Sequence, residues 1–185
     1  MVKVERSTSI SVGVVLAREA IDHPWQDHRW RPLDVLVGAP DMEAGTILKA
    51  EEGFTHYFAG HFEIELHRKE TSAYIVNLEN TPPAVYVVIC EAEDEDDEVP
   101  LPFEVRLVTV SPFEAQDFLD TGEDIVEAIP MIGPLIAWVE RFVNEHHEEE
   151  KFVKRQRDRV RIEVERFGQE PLVITRQRQK RKFDA

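Results

Sequence analysis

The apolar residues of this chain change their spacing at Ser111, and this change constrains the fold more than any other feature. Before Ser111 they alternate with polar residues in several short segments, which is typical of β-strands. After Ser111 they recur at intervals of three and four residues, as on one face of a helix. Because the two patterns do not interleave, we expect an α+β fold, with a mainly antiparallel sheet of about six strands followed by two or three C-terminal helices.

The predicted strands lie between turn-forming residues. Gly60, in the middle of the clearest one (55–67), suggests a β-bulge. Strand 84–90 alternates little and is expected to be central and covered on both faces. The other predicted strands are 9–17, 33–37, 46–49, 73–78 and 103–110. Two sets of residues would each share one face, namely Ile10, Val12, Val14 and Leu16 in the first strand, and His56, Phe58, Phe62, Ile64 and Leu66 in the clearest one.

Helix-start residues follow the last of these strands. Ser111 stands at a cap position, Pro112 at the first helical position and Glu114 at the third, and Gly122 would end this helix. Residues 123–129 have the composition for two more helical turns before Pro130. A last long helix is predicted from Gly133 to beyond residue 150.

Charge divides the chain at about residue 150. Residues 151–185 hold twelve of the 22 Lys and Arg residues and only five of the 37 acids, and the net charge of the whole chain is −15. We therefore expect a single α+β domain at 1–150 and a basic helical extension and tail at 151–185. An acidic body repels phosphate backbones, so no nucleic-acid partner is expected. The tail would contact either an acidic partner or its own acidic domain.

Hydropathy predicts a protein without membrane insertion. No run approaches the roughly 18 apolar residues of a membrane helix. The apolar stretch 10–17 is short and alternating, as in a strand and unlike a signal peptide. Cys90 is the only cysteine, so an internal disulfide is excluded. We expect the protein in the cytoplasm.

Residues 21–32 form an unusual segment with two Trp, two His, two Asp, two Arg and two Pro. Since Pro fixes the backbone and interrupts strand pairing, the segment is predicted to be a shaped loop, where binding surfaces often lie. In one interpretation, the rings and guanidinium groups form a platform for a partner or a planar ligand. In the other, both indoles close the end of the sheet and an Arg pairs with an acid. The candidate binding residues are Trp25, His28, Arg29, Trp30 and Arg31.

The same segment holds weak candidates for metal ligands. Asp22, His23, Asp27 and His28 are ligand types for Zn²⁺ or a similar ion, although their spacing matches no metal motif. The alternative is structural, since loop carboxylates often cap turns and loop histidines often bond to the backbone. Two other groups are weaker still: His56, His61 and His67 on the predicted strand, and His146 with Glu150 on the last helix.

No catalytic signature accompanies these residues. Cys90 lies in an apolar run, where thiols are usually inert. The sequence contains neither a nucleophile elbow nor a glycine-rich phosphate loop. The hypothesis from these observations is that the protein is not an enzyme, and no cofactor is predicted.

Several blocks of sequence, spread in one order over roughly residues 9–157, carry a family resemblance. They resemble a bacterial family known only as a domain of unknown function, whose genes lie beside those of molybdenum-dependent formate dehydrogenase. Some members are labelled molybdopterin-guanine dinucleotide biosynthesis proteins, although such enzymes need the phosphate loop that is missing here. The matching blocks are Val12–Val15, His23–Pro32, Glu65–His67, Tyr74–Leu78, Pro82–Val88, Ser111–Leu119, Val126–Met131 and Phe152–Arg155.

The resemblance implies a biological context and no catalytic residues. It favours a non-catalytic accessory protein that binds formate dehydrogenase subunits or another molybdoenzyme through the 21–32 segment, the basic tail, or both. One alternative is an enzyme or carrier that handles a molybdenum-cofactor precursor or a metal through Asp22, His23, Asp27 and His28. Another is a small integral subunit of a dehydrogenase complex. The oligomeric state is left open.

Overall fold

A computed structural model describes residues 7–92 and 101–147 of the chain. Within these residues the chain forms seven strands and three α-helices. In chain order they are β1 (Ser7–His23), β2 (Gln26–Val37), β3 (Ile47–Glu51), β4 (Phe54–His67), α1 (Thr71–Leu78), β5 (Ala84–Glu91), β6 (Phe103–Thr109), α2 (Pro112–Thr121), β7 (Ile125–Pro130) and α3 (Gly133–His146).

The strands form two antiparallel sheets. The first has the order β2-β1-β4-β3, and the second has the order β6-β5-β7. The fold is α+β as predicted, but the prediction of one sheet followed by C-terminal helices was wrong. Helix α1 lies between β4 and β5, and α2 lies between β6 and β7, so helices and strands interleave in the second half.

One hydrophobic core joins the two sheets and the helices. Strand β1 contributes Val12, Val14 and Leu16 to this core, as its alternation predicts. Strand β5 is central in its sheet and buried on both faces, which confirms the expectation for 84–90. The remaining core side chains come from both sheets and from α1 and α3, among them Ile64, Leu66, Val85, Val87, Ile89, Tyr74, Leu135, Val139 and Phe142.

The bulge expected at Gly60 is present and changes which residues face the core. Val14 pairs with Gly60 and the next residue, Val15, pairs with Phe58, so Ala59 is the extra residue. Gly60 has a φ of +133°, which is accessible to glycine and strained for other residues. Phe62 packs against the core as predicted, whereas Phe58 is fully buried outside the core cluster.

Helix α2 begins and ends where the sequence predicts. The Ser111 hydroxyl accepts a hydrogen bond from the Glu114 backbone N–H at 3.4 Å, and Gly122 ends the helix in the left-handed conformation. Helix α3 also starts at Gly133 as predicted, but it ends at His146, because His147 is extended. The predictions for 151–185, and the pairing of His146 with Glu150, lie outside the described residues.

Three local predictions were wrong. Residues 73–78 belong to helix α1, where Ala73, Tyr74 and Asn77 are buried. Residues 125–130 form β7 instead of helical turns, because they pair with β5 along their whole length. Residues 21–32 were predicted to be a loop, but they form the turn end of the β1–β2 hairpin. Its two prolines lie at the turn and beside a bulge of β2, which is an edge strand, and proline is tolerated at such positions. In the part of the chain that the structure describes, no helix has the length and apolar character needed to cross a membrane.

Candidate functional site

The β1–β2 hairpin extends past the strand beside it. Strand β1 pairs with β4 only as far as Glu19, opposite Phe54, while β1 and β2 continue to pair up to His23 and Gln26. Pro24 and Trp25 make the connecting turn. We call residues 20–29 the hairpin tip. All of them are exposed except Ile21, which is half-buried.

Trp25 stands at the end of the hairpin tip with 88% of its surface exposed. Its backbone N–H donates to Nδ1 of His23 at 3.4 Å, a contact within the turn. Large aromatic side chains are normally buried, and Trp is enriched where proteins contact one another. The indole is therefore the most exposed large aromatic group of the described residues.

The base of the hairpin is held by aromatic packing. The Trp30 ring lies 5.2 Å from the Tyr57 ring on β4 and 6.1 Å from the Phe103 ring on β6. Trp30 is thus partly buried against the core cluster, whereas Trp25 at the turn is exposed. The structure separates the two tryptophans that the sequence grouped together, one as a structural residue and one as an exposed residue.

Both arginines of the segment pair with one carboxylate. Arg31 donates from Nε and Nη2 to Oε1 of Glu19 at 3.0 and 2.7 Å, and Arg29 donates to Oε2 at 2.8 Å. These hydrogen bonds, from Arg31 first and Arg29 second, lower the pKa of Glu19 to about 2. The arginines therefore brace the hairpin across its two strands, as in the second interpretation of the segment.

The weak metal candidates are spread over the hairpin tip. Asp22, His23, Asp27 and His28 are all exposed. Among the described residues, no group of three or more His, Cys, Asp or Glu side chains is arranged to hold a metal ion.

The Gly60 bulge brings the β4 histidines to one face of the sheet. His56 pairs with Ala17 and His61 with Gly13, which lie on the same side of β1. Each imidazole ring has a different neighbour. His56 packs against the Phe54 ring, and His61 packs against the Phe58 ring. Nε2 of His67 lies 3.2 Å from Oε2 of Glu65. The predicted cluster therefore shares a face without converging on a common point.

A cavity of about 320 Å³ lies beside the hairpin tip. Gln26, from the tip, forms part of its wall, together with Phe103, the ring that contacts Trp30. The other lining residues come from β5, β6, and β7 with its preceding turn, namely Ile89, Cys90, Glu91, Arg106, Glu123, Asp124 and Ile125.

Asp124 is the most buried charged group in the cavity wall. Its side chain is only 2% exposed, and Nη1 of Arg106 lies 3.0 Å from both carboxylate oxygens. Arg106 donates to Oδ2, whereas Oδ1 receives no hydrogen bond from the described residues. Sequence reasoning missed this site, because its residues come from four separate segments without a recognisable spacing.

A second polar cluster lies at the start of α1. The Tyr74 hydroxyl accepts from the His67 backbone N–H at 2.9 Å and lies 3.5 Å from Glu70. Burial and then the nearby Glu114 carboxylate raise the pKa of Glu70, and burial raises the pKa of Tyr74. Glu114 in turn accepts from the Thr109 hydroxyl at 2.5 Å. These contacts join α1, α2 and β6, which is a structural role.

A comparison with protein families finds a match to most of the chain. A family model described as a protein of unknown function (DUF3305) matches residues 11–156. The match spans the hairpin, both sheets and all three helices of the described residues. No curated protein and no solved structure matches the chain.

Proposed function

The chain belongs to this family of proteins of unknown function, and we propose that it is a non-catalytic accessory protein that binds a protein partner through its hairpin tip. The observation that carries the proposal is the exposure of Trp25, which has 88% of its surface in solvent at the end of the hairpin. Burying an indole of this size against a partner removes a large apolar area from water, and such residues commonly dominate binding energy.

The braced base of the hairpin supports the same proposal. Glu19 pairs with Arg29 and Arg31 across the strands, and Trp30 is packed against two rings. A tip held in one conformation loses little conformational entropy when it binds, so more of the contact energy appears as affinity.

We propose formate dehydrogenase or another molybdoenzyme as the partner. This part of the proposal rests on the family resemblance of the sequence and on a binding surface suited to a protein. A cytoplasmic location follows if the partner is a cytoplasmic enzyme.

The test is capture of purified formate dehydrogenase by the immobilised full chain. We expect Trp25→Ala to weaken binding by about 2 kcal/mol or more, roughly thirtyfold, with the free energy of unfolding unchanged within about 0.5 kcal/mol. Leu119→Ala is a matched control, because Leu119 is an apolar side chain with 56% exposure on α2.

Equal capture by the wild-type protein and Trp25→Ala would contradict the hairpin tip as the binding surface. Metal that co-purifies in a fixed ratio and is lost in His28→Ala would favour the carrier alternative. Constant stoichiometry with the enzyme through purification would instead indicate an integral subunit.

A further inference from the structure

We propose that the cavity beside the hairpin tip receives a guanidinium or primary ammonium group, supplied by an Arg or Lys side chain of the protein partner. This inference rests on the proposed function, since it specifies the chemistry of the partner surface next to Trp25. Gln26 follows Trp25 in the chain and lines the cavity, so one partner segment can contact both.

The charges of the cavity wall favour a cation. Glu91, Glu123 and Asp124 face the cavity with Arg106 as the one basic residue in the described wall, which leaves two negative charges in excess. A partner cation would reduce the repulsion among these carboxylates, whereas an anion would increase it.

The buried carboxylate supplies a specific acceptor. Nη1 of Arg106 lies 3.0 Å from both carboxylate oxygens of Asp124 and donates to Oδ2, so Oδ1 has a charged neighbour but no hydrogen bond from the described residues, in a side chain that is 98% covered. Oδ1 can still accept a hydrogen bond, and an N–H of an incoming cation would supply it. Arg106 is 43% exposed, and a shift of its guanidinium towards solvent would give the incoming cation access to Oδ1.

The walls also suit the aliphatic part of a basic side chain. Ile89, Phe103 and Ile125 provide apolar surface in the same cavity. Arg and Lys commonly lay their methylene stems on apolar surface while the charged end reaches polar partners, and a ring such as that of Phe103 attracts a nearby cation. The volume of about 320 Å³ lies at the lower end of the range for small-ligand sites.

The first test uses Nα-acetyl-arginine amide, whose only charge is the guanidinium, and Nα-acetyl-citrulline amide, a neutral molecule of nearly the same shape; below they are called arginine amide and citrulline amide. Each is titrated into the full-length chain while amide resonances of Gln26, Glu91, Phe103 and Asp124 are followed by NMR. We expect saturable shifts with arginine amide and none with citrulline amide. Equal responses to both, or no saturable response to either, would overturn the inference.

Variants assign the binding to the carboxylate. Asp124→Asn keeps the shape and is expected to weaken binding of arginine amide about tenfold or more, because a hydrogen bond to a charged group is lost. Glu123→Gln lies at an exposed position, cannot disturb the core, and is expected to weaken binding about twofold to threefold. Glu63→Gln is the control, because Glu63 is an exposed acid on β4 that does not line the cavity, and this variant should bind arginine amide as the wild-type protein does. Wild-type affinity in both Asp124→Asn and Glu123→Gln contradicts the proposed site.

A competition experiment with captured formate dehydrogenase shows whether the partner supplies the cation. If the partner supplies it, arginine amide displaces captured formate dehydrogenase and citrulline amide does not. If arginine amide binds but leaves the capture unchanged, the cavity takes a free small amine and the partner assignment is overturned. Trp25→Ala separates the two proposals, because it should weaken capture roughly thirtyfold while arginine amide binds in the cavity as in the wild-type protein.

Discussion

At the scale of single residues, Asn77 shows how one buried amide fixes the position of a helix. It lies on α1 and is 1% exposed. Its Nδ2 donates to the carbonyl oxygens of Ala84 and Val110, both at 2.7 Å, and its Oδ1 accepts from the Ala84 N–H at 3.0 Å. These three hydrogen bonds attach α1 to the start of β5 and to the end of β6, where the backbone groups would otherwise be unsatisfied.

We predict that Asn77→Ala lowers the free energy of unfolding by about 3 kcal/mol, because three buried backbone groups lose their partner. Urea unfolding followed by circular dichroism measures the change. Asn144→Ala, at an exposed position on α3, is the control and should change stability by less than about 0.5 kcal/mol. A similar loss in both variants would contradict the role given to Asn77.

At the scale of elements, the hairpin is stabilised across its strands by charge. Glu19 lies on β1, and its two arginine partners lie on β2. Its pKa is about 2 in the folded protein against an ordinary value of 4.5, so the folded state binds this proton more weakly than the unfolded chain. The stabilisation is therefore present above about pH 4.5 and is lost as the pH falls towards 2.

We predict that Glu19→Gln costs about 1 kcal/mol at pH 7, a value kept small because Arg29 is more than half exposed. The difference from wild type should shrink as the pH falls from 4.5 towards 2. Urea unfolding of both proteins at several pH values measures it. Glu51→Gln removes an acid from an exposed pair with Lys49 and should have little effect at any pH. A constant Glu19→Gln difference down to pH 2.5 would show that the arginine pairs do not cause it.

Strand β1 is also fitted closely to the segment that follows β2. A Cβ at Gly13 would lie 2.6 Å from the Ala39 Cβ and 2.7 Å from Cε2 of Phe58. The absence of a side chain at Gly13 lets the Phe58 ring lie fully buried outside the main core.

We predict that Gly13→Ala destabilises the protein by about 2 kcal/mol through this overpacking. The melting temperature measures the effect. Gly133→Ala, at the start of α3, has open space around the added methyl group and serves as the control, with no loss of stability. A neutral Gly13→Ala would mean that Ala39 and Phe58 move aside at little cost.

At the scale of the whole molecule, charge opposes folding. The chain carries a net charge of −15, and compaction brings these like charges closer together. Salt screens such repulsion over about 10 Å at 0.1 M.

We predict that raising NaCl from about 20 mM to about 300 mM increases the melting temperature by a few degrees at pH 7. Calorimetry measures the shift, and KCl should act equally if screening is the cause. A fall in melting temperature with salt would indicate that attractive ion pairs outweigh the repulsion.

Features that depend only on neighbouring residues were predictable from the chain alone. The alternation in β1, the bulge at Gly60 and the cap at Ser111 were all predicted correctly. Each depends on a period, a backbone preference or a hydrogen bond that spans only a few residues, so the information lies within one segment.

Other features of the fold and of the candidate site depend on contacts between distant parts of the chain. Residues 73–78 form a helix whose buried side chains pack inside the fold, and residues 125–130 form a strand because they pair with β5. Only the fold separates Trp25 from Trp30, since one ring finds Tyr57 and Phe103 and the other finds solvent. The cavity with Asp124 exists because four distant segments meet, and hydrogen bonds and contacts between distant residues leave no spacing in the chain that could reveal them.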